Sequence, residues 1–199
     1  MRDGAPHHQN GKIACERLAM PASRFERGVH YDLLELEGKS LWHPGTPIWR
    51  SSTNVINFEA STSSAIVQAK VPGVQGAFTL KNVLSAHECE QIRELSLAMG
   101  YQPEPSKSSG RPLRSNCNLL WCADDSLWQP IFQRVLPYLP SIDGGGPLGL
   151  NQRCRLYRYE DGDTFGMHHD GWWPGSSLHP ATGAFVETRT RGPASGAAK

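Results

Sequence analysis

The chain predicts an α+β fold with helices packed on one side of an antiparallel sheet. Three observations predict it. Two segments open with helix-capping chemistry, Ser85-Ala-His-Glu88 and Asp124-Asp-Ser126. Several short runs rich in β-branched, aromatic and aliphatic residues lie around them, bounded by Gly, Pro and Asp. Near the C-terminal end, a turn joins two strand-like runs in the manner of a hairpin.

Residues 1–75 show weak periodicity with frequent Pro, Gly and Ser, and are expected as a poorly ordered or accessory segment. Short strands are expected there at residues 31–36 and 64–71. The domain, residues 76–188, opens after Gly76 with a strand over residues 77–83. Ser85 and Glu88 form a capping box, which starts a helix that places Cys89, Ile92, Leu95 or Ser96, and Met99 on one face. Gly100 ends it. A Ser-, Pro- and Lys-rich loop over residues 102–112 leads to a partly buried strand at residues 115–122, carrying Leu119, Leu120 and Trp121. Asp124 caps a second helix with Leu127, Trp128, Ile131, Val135 and Leu136 apolar, Pro130 in its first turn, and Pro137 and Pro140 stopping it.

The segment after this helix carries most of the chemistry. Arg155-Leu-Tyr-Arg-Tyr159 has strand composition, Glu160-Asp-Gly162-Asp is turn chemistry, and Thr164-Phe-Gly-Met-His168 reads as a second strand. In an extended strand, side chains two apart leave on one face, so His168 and Asp170 converge while His169 points away. One imidazole and one carboxylate then share a pocket. Two histidines and one carboxylate on one face of an iron are the usual ligands of non-haem Fe(II) oxygenases, and two of the three are visible here. Read without that context, His168-x-Asp170 is a solvated polar pair and Tyr159 a half-buried strand aromatic.

The pattern Tyr159-x-x-Gly162-x-x-Phe165-x-x-His168-x-Asp170 resembles the iron-binding motif of 2-oxoglutarate-dependent dioxygenases of the prolyl 4-hydroxylase type. The strand and helix of residues 78–99, the Arg114-Ser-Asn116 stretch and Gly149-Leu-Asn151 are similar to that family as well, so the resemblance covers about residues 76–180. It implies a double-stranded β-helix, here incomplete, flanked by helices. It further implies that His168 and Asp170 bind Fe(II), that Tyr159 faces 2-oxoglutarate as co-substrate, and that ascorbate keeps the iron reduced. The implied reaction is hydroxylation of a peptide or small molecule.

The family's second histidine, and the Arg or Lys that pairs with 2-oxoglutarate, lie on later strands. Residues 174–199 offer one short strand at 184–188 and a basic tail expected as disordered, residues 189–199. His179, Arg189 and Arg191 sit in Pro- and Gly-rich sequence with no rigid element to position them. The expectation is therefore an impaired enzyme; the alternative is a catalytically silent remnant serving as a binding or interaction module. An uncovered sheet edge would then favour self-association.

Composition narrows the partners. A formal charge of +1 gives no sign of a nucleic-acid or membrane partner, and no long apolar run or signal-peptide pattern is present, so a cytoplasmic location is expected. The five cysteines are odd in number and scattered, which argues for reduced thiols. Cys117 and Cys122 with His87 or His179 are too loosely spaced for a zinc site.

Overall fold

The computed structural model describes residues 23–34, 46–60, 64–103, 114–142, 144–170 and 174–188. They form a mixed α+β structure with two α-helices and four sheets, none of them closed. The expected tail at residues 189–199 and most of the expected loop at residues 102–112 lie outside the described residues.

In chain order the elements are β1 (Tyr31–Leu33), β2 (Ile48–Ser51), β3 (Val67–Lys70), β4 (Phe78–Lys81), α1 (Ala86–Met99), β5 (Gln102–Pro103), β6 (Arg114–Ser115), β7 (Cys117–Cys122), α2 (Asp125–Val135), a 3-10 turn (Leu136–Tyr138), β8 (Arg153–Arg158), β9 (Thr164–Phe165), β10 (Gly175–Leu178) and β11 (Phe185–Thr188). The hub is β7. It is buried along its whole length, which is why its sequence, Cys-Asn-Leu-Leu-Trp-Cys, lacks the polar alternation of a half-solvated strand. It pairs antiparallel with β8 from Cys117↔Arg158 to Cys122↔Arg153, antiparallel with β5, and parallel with β2 from Ile48↔Leu120 to Arg50↔Cys122. The outer strand β1 pairs antiparallel with β2.

Alternation along β7 splits the core in two. Leu119 and Trp121 face α1 and α2, packing with Leu95, Met99 and Leu127. Leu120 and Cys122 face the other way, against Leu34 and Ile48, with Leu178 and Phe185 of the β10–β11 hairpin covering them. The buried Trp121 indole donates from Nε1 to Ser51 Oγ at 3.1 Å, so its polar atom is satisfied within the sheet.

Both capping predictions are met. Ser85 Oγ accepts from Glu88 N while Glu88 Oε2 accepts from Ser85 N, and Asp124 accepts from Ser126 N. The buried face of α1 is offset from the expected one: Glu88 and Gln91 join Leu95, Ser96 and Met99, whereas Cys89 is exposed. Polar residues can take that face because residues 57–59 bring partners to them. Gln91 exchanges two hydrogen bonds with the Asn57 backbone at 2.9 and 3.0 Å. Glu88 accepts from Glu59 N at 2.8 Å and from both terminal nitrogens of Arg134 at 2.7 and 2.8 Å. Burial alone would raise the Glu88 carboxyl; Arg134 and the two backbone N–H groups outweigh it and hold it at about 2. Arg134 also donates to the carbonyls of Val83 and Glu59. This clamp ties the start of α1, the end of α2 and the preceding loop together.

Of residues 1–75, expected as a poorly ordered or accessory segment, β1 and β2 extend the main sheet and Phe25, Trp49 and Ile56 are core side chains. Two expectations are corrected. Pro130 lies inside α2 and not in its first turn; it cannot donate to the Ser126 carbonyl. The hairpin expected from residues 155–168 does not form a ladder. Its first arm, β8, is drawn to β7, and its second, β9, pairs with β6 through Arg114↔Phe165 and Ser115↔Thr164. The pairing that buries a six-residue register outweighs the local turn signal.

Candidate functional site

The turn between β8 and β9 is built as its residues predict. Gly162 adopts φ 90°, a conformation that favours glycine, Asp163 N donates to Glu160 O at 2.9 Å, and Glu160 N donates to Asp163 Oδ2 at 2.9 Å. Thr164 N donates to Ser115 Oγ at 2.9 Å, which fixes β9 on β6. The chain beyond Phe165 leaves the strand, so His168 and Asp170 sit on a loop and not in the extended frame expected for them.

They nevertheless meet. His168 Nε2 lies 3.2 Å from Asp170 Oδ1, and its Nδ1 lies 2.9 Å from the Gly166 carbonyl oxygen. The His168 ring stacks on Phe165 with centroids 4.0 Å apart and planes 18° from parallel. The imidazole is partly sheltered, and the Asp170 carboxylate is 94% exposed. His169 is exposed.

These contacts test whether the pair suits a metal. At 3.2 Å the imidazole and the carboxylate are within hydrogen-bond reach, so a proton on Nε2 accounts for the approach as fully as a metal does. Nitrogen and oxygen ligands about 2.1 Å from a metal and at right angles to each other lie about 3 Å apart, close to the observed spacing. Holding the second ring nitrogen on a backbone carbonyl is also the usual way a histidine ligand is oriented. The donor set fits a divalent metal for these two positions. Among the described residues no group of three His, Cys, Asp or Glu side chains suits one, and His179 belongs to the β10–β11 turn, where its backbone bonds Ala184 and Gly183.

Tyr159 lies just past β8, 43% exposed, with its ring centroid 6.3 Å from that of Tyr157. Tyr157 in turn lies 6.5 Å from Phe165, so a row of rings runs from Tyr159 to His168. Arg114, which sequence reasoning left without a role, is the residue that joins this row. Its NH1 donates to the Tyr157 hydroxyl at 2.6 Å, and its guanidinium stands 4.3 Å over the Phe165 ring. The signal that could have found it is the alternation Arg114-x-Asn116-x-Asn118, polar residues at every second position from β6 into β7.

A cleft of about 730 Å³ lies elsewhere, between β1, β2, the start of α2 and the β10–β11 hairpin, with Arg50, Asp124, Gln152 and His179 in its walls. Tyr159, His168 and Asp170 do not line it. Three cysteines, Cys89, Cys122 and Cys154, are free thiols, whereas Cys117 is disulfide-bonded, against the expectation of reduced thiols throughout. No helix among the described residues is long and apolar enough to cross a membrane. When the chain is compared with family models, with curated proteins and with solved structures, no match is found.

Proposed function

We propose that this chain carries part of the site of a non-haem Fe(II)- and 2-oxoglutarate-dependent dioxygenase of the prolyl 4-hydroxylase type, with His168 and Asp170 as iron ligands and Tyr159 beside 2-oxoglutarate. The single observation that carries the reading is the His168–Asp170 approach at 3.2 Å, with Nδ1 turned to Gly166, inside a motif whose spacing resembles that family. In the same reading, the main sheet and the β6–β9 pair are the open part of a double-stranded β-helix. Iron bound there supplies oxidation of an unactivated C–H bond in a peptide or small molecule, using dioxygen and 2-oxoglutarate, with ascorbate as reductant.

The chain's own residues have defined tasks in this reading. Gly166 orients the His168 ring, Phe165 supports its face, and Asp170 brings the negative charge that a cation needs. Its wide exposure predicts weak metal retention, because two ligands hold a metal far less firmly than three.

Anaerobic titration of the protein with Fe(II) in the presence of 2-oxoglutarate tests the proposal. Visible charge-transfer absorption is expected in the wild type and is expected to be lost in His168→Ala. If that absorption is absent and wild-type turnover of 2-oxoglutarate equals that of the variant, the enzyme reading is overturned in favour of a catalytically silent interaction module.

A further inference from the structure

The cleft between β1, β2, the start of α2 and the β10–β11 hairpin has a volume of about 730 Å³, within the range of about 300–1,000 Å³ usual for small-molecule sites. Its walls are tied together by side chains. Thr53 Oγ1 donates to Asp124 Oδ2, and Asn54 N donates to Ser126 Oγ at 2.8 Å. Gln152 joins α2 to β10: its Nε2 donates to Asp125 Oδ1 at 2.7 Å while its Oε1 accepts from Leu178 N at 2.8 Å. A cleft braced in this way is formed before a ligand arrives, so binding does not have to order it.

Charge divides this space into two ends. At one end, the Arg50 guanidinium lies against the β10–β11 turn, where a Cβ added at Gly183 would stand 3.4 Å from its NH1. Asp32 is the cross-strand partner of Arg50, but its carboxylate is held by Arg27 Nε at 3.1 Å and by Leu33 N at 2.8 Å. Among the described residues, Arg50 has no hydrogen bond or ion pair of its own. His179 stands in the same turn. Its Nδ1 accepts from Ala181 N at 3.3 Å, so the neutral ring carries its proton on Nε2 as a donor. At the other end are Asp124 and Asp125. Asp124 is occupied as the cap of α2, whereas Asp125 offers only Oδ1 to Gln152, and among the described residues its Oδ2 has no partner. A guanidinium and a carboxylate that line one space without pairing with each other match a ligand that carries both opposite charges.

We propose that this cleft binds a free amino acid or short peptide as a zwitterion. Its carboxylate meets Arg50 and His179, its ammonium meets Asp125, and an apolar side chain rests against Val29, Leu178 and Pro180 in the wall. The two ends together exclude simpler ligands, because a plain anion would meet Asp124 and Asp125 and a plain cation would meet Arg50. A free amino acid and a peptide share this chemistry and differ in how far apart their charges stand.

Proton–nitrogen NMR titration of the full chain with leucine, Leu-Leu and Leu-Leu-Leu tests the site and reads the length that fits it. At least one of the three is expected to bind, with saturable shifts at the amides of Ser126 and Gly183, which line the cleft. Its C-terminal amide and its N-acetyl form each lack one charge and are expected to bind about 10-fold more weakly, the effect of one charge-assisted hydrogen bond. Arg50→Gln is expected to weaken the parent ligand by a similar factor and to leave the amide unchanged. Asp125→Asn keeps an acceptor for Gln152, and is expected to weaken the parent ligand but not the N-acetyl form. Both residues are exposed, so neither variant disturbs the core, and Arg93→Gln, at a surface arginine paired with Glu90, is expected to match the wild type. The proposal is overturned if none of the three ligands binds, or if the derivatives bind as tightly as the parent. It is equally overturned if the shifts are confined to residues 166–170, or if each variant weakens parent and derivative alike. The site is separate from the metal pair, so failure of Fe(II) to bind leaves it standing.

Discussion

Replacing Glu88 with Gln keeps the shape of the clamp between α1 and α2 and removes its charge. The magnitude follows from the carboxyl itself, held at about 2 against an ordinary value of 4.5. At about 1.4 kcal/mol per tenfold change in proton affinity, that difference is worth about 3 kcal/mol of folding stability. The full figure applies because the Glu88 side chain is wholly buried and Arg134 is only 14% exposed, so solvent screens the pair little. Since folding lowers this pKa, the contribution is present above pH 4.5 and disappears as pH falls from 4.5 through 2. Urea unfolding of wild type and Glu88→Gln at several values from pH 7 to pH 2.5 measures it. The variant is expected to be about 3 kcal/mol less stable at pH 7, with the difference shrinking steadily below pH 4.5. A second variant, Glu88→Ala, leaves Arg134 without its buried counter-charge and is expected to cost about 3–5 kcal/mol. A Gln penalty under about 1 kcal/mol, or one that stays constant with pH, would refute the argument that Arg134 and the two N–H donors outweigh burial at this carboxylate.

Two further outcomes follow from the packing around β7. Trp121→Ala empties the centre of the larger core cluster and leaves Ser51 Oγ without its indole donor, so a loss of about 3–5 kcal/mol is expected in the same unfolding assay. Burial pushes the thiols of Cys122 and Cys154 up to about 12, while Cys89 is exposed on α1. A thiol reagent at pH 8 is therefore expected to modify Cys89 promptly and the other two only on unfolding, as peptide mapping after brief labelling would show.

Local signals were legible where they decide local structure. Ser85 with Glu88, and Asp124 with Ser126, announce both helices because a cap needs only its own first turn. The position of β7 was equally plain from Leu119, Leu120 and Trp121. What sequence did not reveal is pairing. Ile48-Trp-Arg-Ser51 is too short to signal a strand by itself, and its burial comes from Leu120, Trp121 and Cys122, about seventy residues away. The Gly162 turn was read correctly, but the strands on either side of it take other partners. At the candidate site, the approach of His168 to Asp170 was anticipated from alternation, whereas the structure brings them together on a loop. Arg114 was noticed only as part of a resemblance, because its significance depends on Tyr157 and Phe165, which reach it through two different strand pairings.

Because β7 divides the interior by odd and even positions, a single residue inserted between Asn118 and Leu119 would invert everything that follows it. Leu119 and Trp121 would exchange places with Leu120 and Cys122, sending an indole toward the small space behind Cys122 and a thiol toward the helices. The strand therefore tolerates conservative replacement far better than any change in its length, and variants selected for folding should accumulate substitutions in β7 while excluding insertions and deletions there.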